Sequence, residues 1–201
     1  WFHPTVDVQR ASSSDLYAFD SKSKFDIIQP GDLVHCDFGI SYLTLNTDCQ
    51  ELAYVLKPGE QNAPAFLVDA LAKGNRVQDI FTNNFKEGVS GNEILKKSLE
   101  EGFSEGLRPQ IYTHPLGTYG HSAGTTLGMW DSQQGVPGNG DYPLHLNTSY
   151  AIELNTTVFI EEWDKDIRIM LEEAGFFGTD GFRYINKRQE KLILVGEEKE
   201  I

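Results

Sequence analysis

The spacing of apolar positions changes period twice along the 201 residues. After the turn signal Pro30-Gly31, Leu33 to Phe38 is a short, mostly apolar run with His35 and Asp37 on one parity, which predicts a strand. In YLTLNTDCQELAYVL, Leu43, Leu45 and Thr47 alternate against Thr44, Asn46 and Asp48, which predicts the returning strand, closed by KPGE. From 63 to 86 the period becomes helical: Phe66, Leu67, Ala70, Leu71, Val77, Ile80 and Phe81 share one broad stripe. A second helix is predicted to start at Ser90, where SGNE supplies a capping box, with Ile94, Leu95, Leu99 and Phe103 as its apolar face. Strand patterns return in SYAIELNTTVFI and IRIMLEEAGFF, and RYINKRQEKLILV predicts a final strand region. Residues 1–30 are mixed, with ASSSD and DSKSKFD reading as exposed connections. Strands, two helices, then strands predict an α+β fold whose sheet is antiparallel or mixed.

Acidic residues interrupt this pattern where they are costly. Asp37, Asp48, Glu153 and Glu172 each sit in a short apolar or Gly-bounded run, and a buried carboxylate there needs a partner. Asp37 and Asp48 are eleven residues apart. Opposed on one face of a hairpin, they repel unless a cation lies between them. That register also sets Cys36 against Cys49. The pair reads first as two small buried apolar residues; the alternative is a cross-strand disulfide, which would favour an exported protein. The stretch from Tyr112 to Gly140 is rich in Gly, which lets backbone approach a ligand, and carries His114 and His121. Four carboxylates and one imidazole form the donor set that two divalent cations require.

Composition narrows the field. A chain of this length, 39% hydrophobic and 23% charged, suits one globular domain over residues 1–201. A net charge of −13 without any Lys/Arg cluster argues against a nucleic-acid partner. No apolar run is long enough for a membrane helix, and no CxxC pair suggests a zinc ribbon. The opening WFHPTVDVQR does not read as a signal peptide, and the compartment stays open.

With these residues identified, the chain resembles the pita-bread metallopeptidases: methionine aminopeptidase, aminopeptidase P and prolidase. The family's first Asp lies in a DxG strand and its second eleven residues on, as in HCDFG and at Asp48. A Gly-rich segment follows with two His seven residues apart, matched by His114 and His121 in HPLGTYGH. A Glu on a later strand matches Glu153 in AIEL, and a last Glu after an IRI-like strand matches Glu172. The resemblance covers roughly residues 25–195 and implies a curved sheet covered by helices.

The same resemblance implies two divalent metal ions, Mn²⁺ before Co²⁺, Fe²⁺ or Zn²⁺. Asp37 would chelate one, Asp48 and Glu172 would bridge, and His114 and Glu153 would hold the second. Glu153 doubles as general base, and His121 faces the substrate carbonyl. Two departures stand out. The family's upstream His, near the substrate amide, has only His35 as a counterpart in its usual window. Met170 stands where the family often has its last Glu after Arg, so Glu172 is taken, with Glu173 as the alternative and Arg168 as a substrate contact. Tyr119, Trp130, Asp131 and His145 are further candidates for the pocket. The expected activity is removal of the N-terminal residue of a peptide substrate, with Xaa-Pro peptides as candidates. Alternatives are a hydrolase or lyase on a non-peptide substrate, or a non-catalytic binding module. The aminopeptidase P-like branch also implies an N-terminal domain preceding this sequence and leaves a homodimer open.

Overall fold

The computed structural model describes residues 4–12 and 27–196; most of ASSSD and all of DSKSKFD fall outside the described residues. The chain runs β1 (Thr5–Gln9), β2 (Leu33–Phe38), β3 (Ser41–Tyr42), β4 (Leu45–Asn46), β5 (Cys49–Val55), α1 (Ala65–Asn83) and α2 (Gly91–Ser104). Then follow β6 (Pro109–Ile111), β7 (His114–Pro115), β8 (Thr148–Ile160), β9 (Lys165–Gly178), β10 (Gly181–Tyr184) and β11 (Ile193–Val195). The main sheet has the order β1-β2-β5-β9-β8-β6, with β10 on β9 and β7 on β8. β11 joins β5 in parallel, so the sheet is mixed as well as curled, and two helices cover it.

The long β8–β9 hairpin is the frame, paired without a break from Thr148↔Phe177 to Ile160↔Lys165. Its period of two separates two chemistries. Ile152, Leu154, Ile167, Ile169 and Leu171 are buried in one core with Leu67, Leu71 and Val77 of α1 and Ile94 and Leu95 of α2. Burying each large aliphatic side chain contributes roughly 1.5–3 kcal/mol. At Gly74 an added Cβ would sit 2.7 Å from Ile169, so glycine is what lets α1 approach β9. α2 begins as the sequence predicts: Ser90 accepts from the Glu93 N–H, and Glu93 accepts from the Ser90 N–H. Helix α2 buries Ile94, Leu95 and Leu99, but Phe103 is exposed.

Several expectations are corrected. The returning strand is shorter than predicted, because residues 41–46 form a separate ribbon turned by Leu43 at φ +55°. The ribbon shifts the hairpin register by two, setting Asp37 opposite Gln50 and Cys36 opposite Glu51. Cys49 therefore faces Phe38 across the strands, both cysteines are free thiols, and the alternative of a disulfide falls. RYINKRQEKLILV is not one strand; it divides between β10 and β11. The edge strand β1 was not anticipated. No helix among the described residues is long and apolar enough to cross a membrane.

Candidate metal centre

Register builds the site. Asp37 pairs with Gln50, Gln50 with Glu172, and Glu172 with Glu153, so four adjacent strands align four polar side chains in one transverse row. Directly opposed residues share a face at about 5 Å, close enough to act on one another. His114 on β7 lies opposite Ala151, and Ala151 opposite Ala174; these small side chains leave room beside the row. Asp48 precedes Gln50 by two, so the register shift keeps its parity. Thr113 fixes the junction: its Oγ1 donates to the Glu153 carbonyl and accepts from the Glu153 N–H.

The predicted donors converge into overlapping groups. Ligand atoms of Asp37, Asp48 and Glu172 lie within 4.8 Å of one another, as do those of His114, Glu153 and Glu172. Asp48, His114 and His121 form a third such group, with the His114 and His121 rings 4.1 Å apart edge to face. Asp48, His114, Glu153 and Glu172 are all buried, Glu172 to 1% exposure. His114 Nε2 stands 3.8 Å from Asp48 Oδ2, 3.7 Å from Glu153 Oε2 and 3.7 Å from Glu172 Oε1. Its Nδ1 is 3.1 Å from the Pro115 carbonyl. Nδ1–H donating there leaves the Nε2 lone pair aimed at the carboxylates.

Such a cluster is electrostatically frustrated without a cation. Burial raises the pKa of Asp48 to about 9, with Glu172 and Asp37 adding repulsion. Burial and the neighbouring acids push Glu153 and Glu172 well above the ordinary carboxylate range. Burial lowers His114. Asp37 Oδ1, Asp48 Oδ1, His114 Nε2 and Glu172 Oε1 are buried without a hydrogen-bond partner. Acceptors orphaned in this way are costly, and divalent cations shared between the overlapping ligand groups would satisfy them. The donor set therefore fits a metal.

These residues open into a cleft of about 570 Å³, also lined by Tyr112, His121, Ser122, Met129, Trp130 and Asn139. Gly128 shapes one wall: at φ +78°, an added Cβ would lie 2.1 Å from the Ile111 carbonyl. Only glycine lets that loop close and present Met129 and Trp130. No Lys or Arg lines this cleft among the described residues.

Other predicted residues lie elsewhere. Glu173 points to the opposite face and accepts the Gln189 N–H at 2.6 Å. His35 does not line the cleft; it is buried behind it against Gln50. Arg168 does not line it either; its backbone is held by the Gln9 side chain. Tyr119, Asp131 and His145 are not part of the lining, whereas Trp130 is. Sequence reasoning missed Gln50, whose amide donates to Glu153 Oε1 at 2.7 Å and Glu172 Oε2 at 3.0 Å. Its signal was a polar residue two positions after Asp48, on the parity of that acid.

No family model and no curated protein matches the sequence. Solved structures do match the fold. An X-Pro aminopeptidase from Thermotoga maritima superposes with a TM-score of 0.70 at 17% identity, over 96% of this chain and 49% of that one. An Xaa-Pro dipeptidase from Bacillus anthracis does so at 0.63 and 20% identity, over 96% and 49%. The N-terminal domain of FACT complex subunit SPT16 from Eremothecium gossypii matches at 0.69 and 10% identity, over 96% and 42%. The chain thus spans about half the length of these proteins and has the pita-bread fold of prolidase-like peptidases, a fold it shares with SPT16 N-terminal domains.

Proposed function

We propose that this chain is the catalytic domain of a dinuclear metallo-aminopeptidase that removes the N-terminal residue of peptides, Xaa-Pro peptides included. One observation carries the reading: two ligand groups, Asp37/Asp48/Glu172 and His114/Glu153/Glu172, meet at a shared Glu172, with four of their buried atoms orphaned. Asp37 would hold one ion, His114 and Glu153 the other, and Asp48 and Glu172 both. Two Mn²⁺ ions bound there would supply Lewis acidity to the scissile carbonyl and lower the pKa of the attacking water. Glu153 would act as general base for that water, while its Oε1 stays engaged by Gln50. His121, at the exposed rim, hydrogen-bonds the carbonyl oxygen as charge develops. Met129 and Trp130 offer an apolar wall to a substrate side chain. A lining without Lys or Arg among the described residues favours the amino end of a longer peptide over a dipeptide, whose terminal carboxylate would need a cation.

The likeness to an SPT16 N-terminal domain favours a second reading, a binding module without catalysis. Incubating the Mn²⁺-loaded chain with a panel of Xaa-Pro and Met-initiated peptides separates the two. Release of the first residue from Xaa-Pro peptides supports the aminopeptidase. Metal binding with no cleavage of any peptide supports the module.

A further inference from the structure

Gln50 occupies the middle of the polar row, between Asp37 on one side and Glu172 on the other, and is 2% exposed. Its amide spends one N–H on Glu153 Oε1 and the other on Glu172 Oε2. Its Oε1 lies 2.9 Å from His35 Nε2. Two carboxylates on the nitrogen side fix which way the amide points, so Nε2 of His35 must carry the proton it donates to Gln50. The oxygens that Gln50 leaves untouched are Glu153 Oε2 and Glu172 Oε1. Those same two atoms stand 3.7 Å from His114 Nε2, on the side where the donors converge.

We propose that Gln50, oriented by His35, is the positioning residue of this centre: it ties back one oxygen of each glutamate and turns the other toward the metal. This rests on the dinuclear reading above. A neutral double donor suits the task, because a Lys or Arg at position 50 would hold the glutamates with a charge that competes with the cation. Hydrogen bonds that orient metal ligands typically set affinity or activity by 10–100-fold. The arrangement also gives buried His35 a role beside the centre, with Asp7 Oδ2 3.6 Å from its Nδ1, beyond hydrogen-bond reach.

The test is Mn²⁺ titration of the full 201-residue chain by calorimetry, with EPR of the bound ion and thermal melts of the metal-free protein. Gln50→Met keeps the length and removes both donors. It is expected to weaken Mn²⁺ binding about 10–100-fold and to change the EPR spectrum. His35→Phe weakens binding in the same direction, and His35→Gln, which can still donate to Gln50, restores it. These histidine variants decide the matter should Gln50→Met fail to fold. Unchanged affinity and spectrum in Gln50→Met, even with a lowered melting temperature, would show a purely structural role and overturn the proposal. So would equal affinities in His35→Phe and His35→Gln. If the wild-type chain binds no Mn²⁺, the dinuclear reading falls and takes this inference with it.

Discussion

Two acidic clusters lie on opposite faces of the same strands, and they differ in how their charge is met. Glu51 and Glu173 share a cleft of about 670 Å³ with Lys187 and Arg188, and Glu173 accepts a backbone N–H. Glu172, one position before Glu173, and Glu153 opposite it face no Lys or Arg among the described cleft residues and share the neutral donor Gln50. In the first cluster Lys187, Arg188 and the Gln189 N–H work against the burial that raises Glu173 to about 7. The second is left with orphaned, buried acceptors. Acidity alone does not mark a metal site; acidity that the fold leaves unpaired does.

The contrast breaks most sharply at the neighbouring glutamates. Glu172→Gln should lower Mn²⁺ affinity and peptide hydrolysis by more than about 100-fold, beyond the cost of a lost supporting hydrogen bond. Calorimetry and a peptide assay read this directly. Equal binding by wild type and variant would remove Glu172 from the site.

A second consequence is a pH dependence of the metal-free protein. The Asp48 pKa is raised from 3.8 in the unfolded reference to about 9 in the fold. A raised carboxyl pKa favours the folded state while the group is protonated, and that contribution is lost as pH rises toward 9. Melting temperature in EDTA should therefore fall between about pH 5 and 9, whereas with Mn²⁺ it should hold or rise, because metal ligands must be deprotonated. The same slope with and without metal would contradict the account.

On the opposite face, Glu173→Gln should leave Mn²⁺ affinity unchanged. It keeps an acceptor for the Gln189 N–H, and because burial raises Glu173 to about 7, the variant should gain about 1–2 kcal/mol of stability relative to the wild type between pH 5 and pH 9 in a denaturation experiment. The smallest effect belongs far from both clusters: Ser90→Ala at the α2 cap should cost about 1 kcal/mol with no change in metal binding.

How much of this could be read in the sequence follows from how local each signal is. An acid inside an apolar alternation stands out, so Asp37, Glu153 and the Glu172–Glu173 pair were visible. Of the adjacent glutamates the sequence favours Glu172, and its pairing with Gln50 and Glu153 puts it on the cleft face, although both parities carry acid. The hairpin register depends on a ribbon tied to a distant loop, where Asn46 donates to the Thr118 carbonyl. No local pattern encodes that contact. In β1 the polar Asp7 and Gln9 are buried along with Val8 while Val6 is exposed, so no alternation marks that strand. Gln50 was overlooked because a lone glutamine in a strand is unremarkable until its neighbours are acids.

The fold leaves a carboxylate–imidazole cluster whose ionised form has buried, unpartnered acceptors that metal would satisfy. The most direct test is titration of the metal-free chain with Mn²⁺ beside the Asp48→Ala variant. Saturable binding of two ions per chain is expected for the wild type, and its loss in the variant. No saturable binding by the wild type, or equal binding by Asp48→Ala, would contradict this reading.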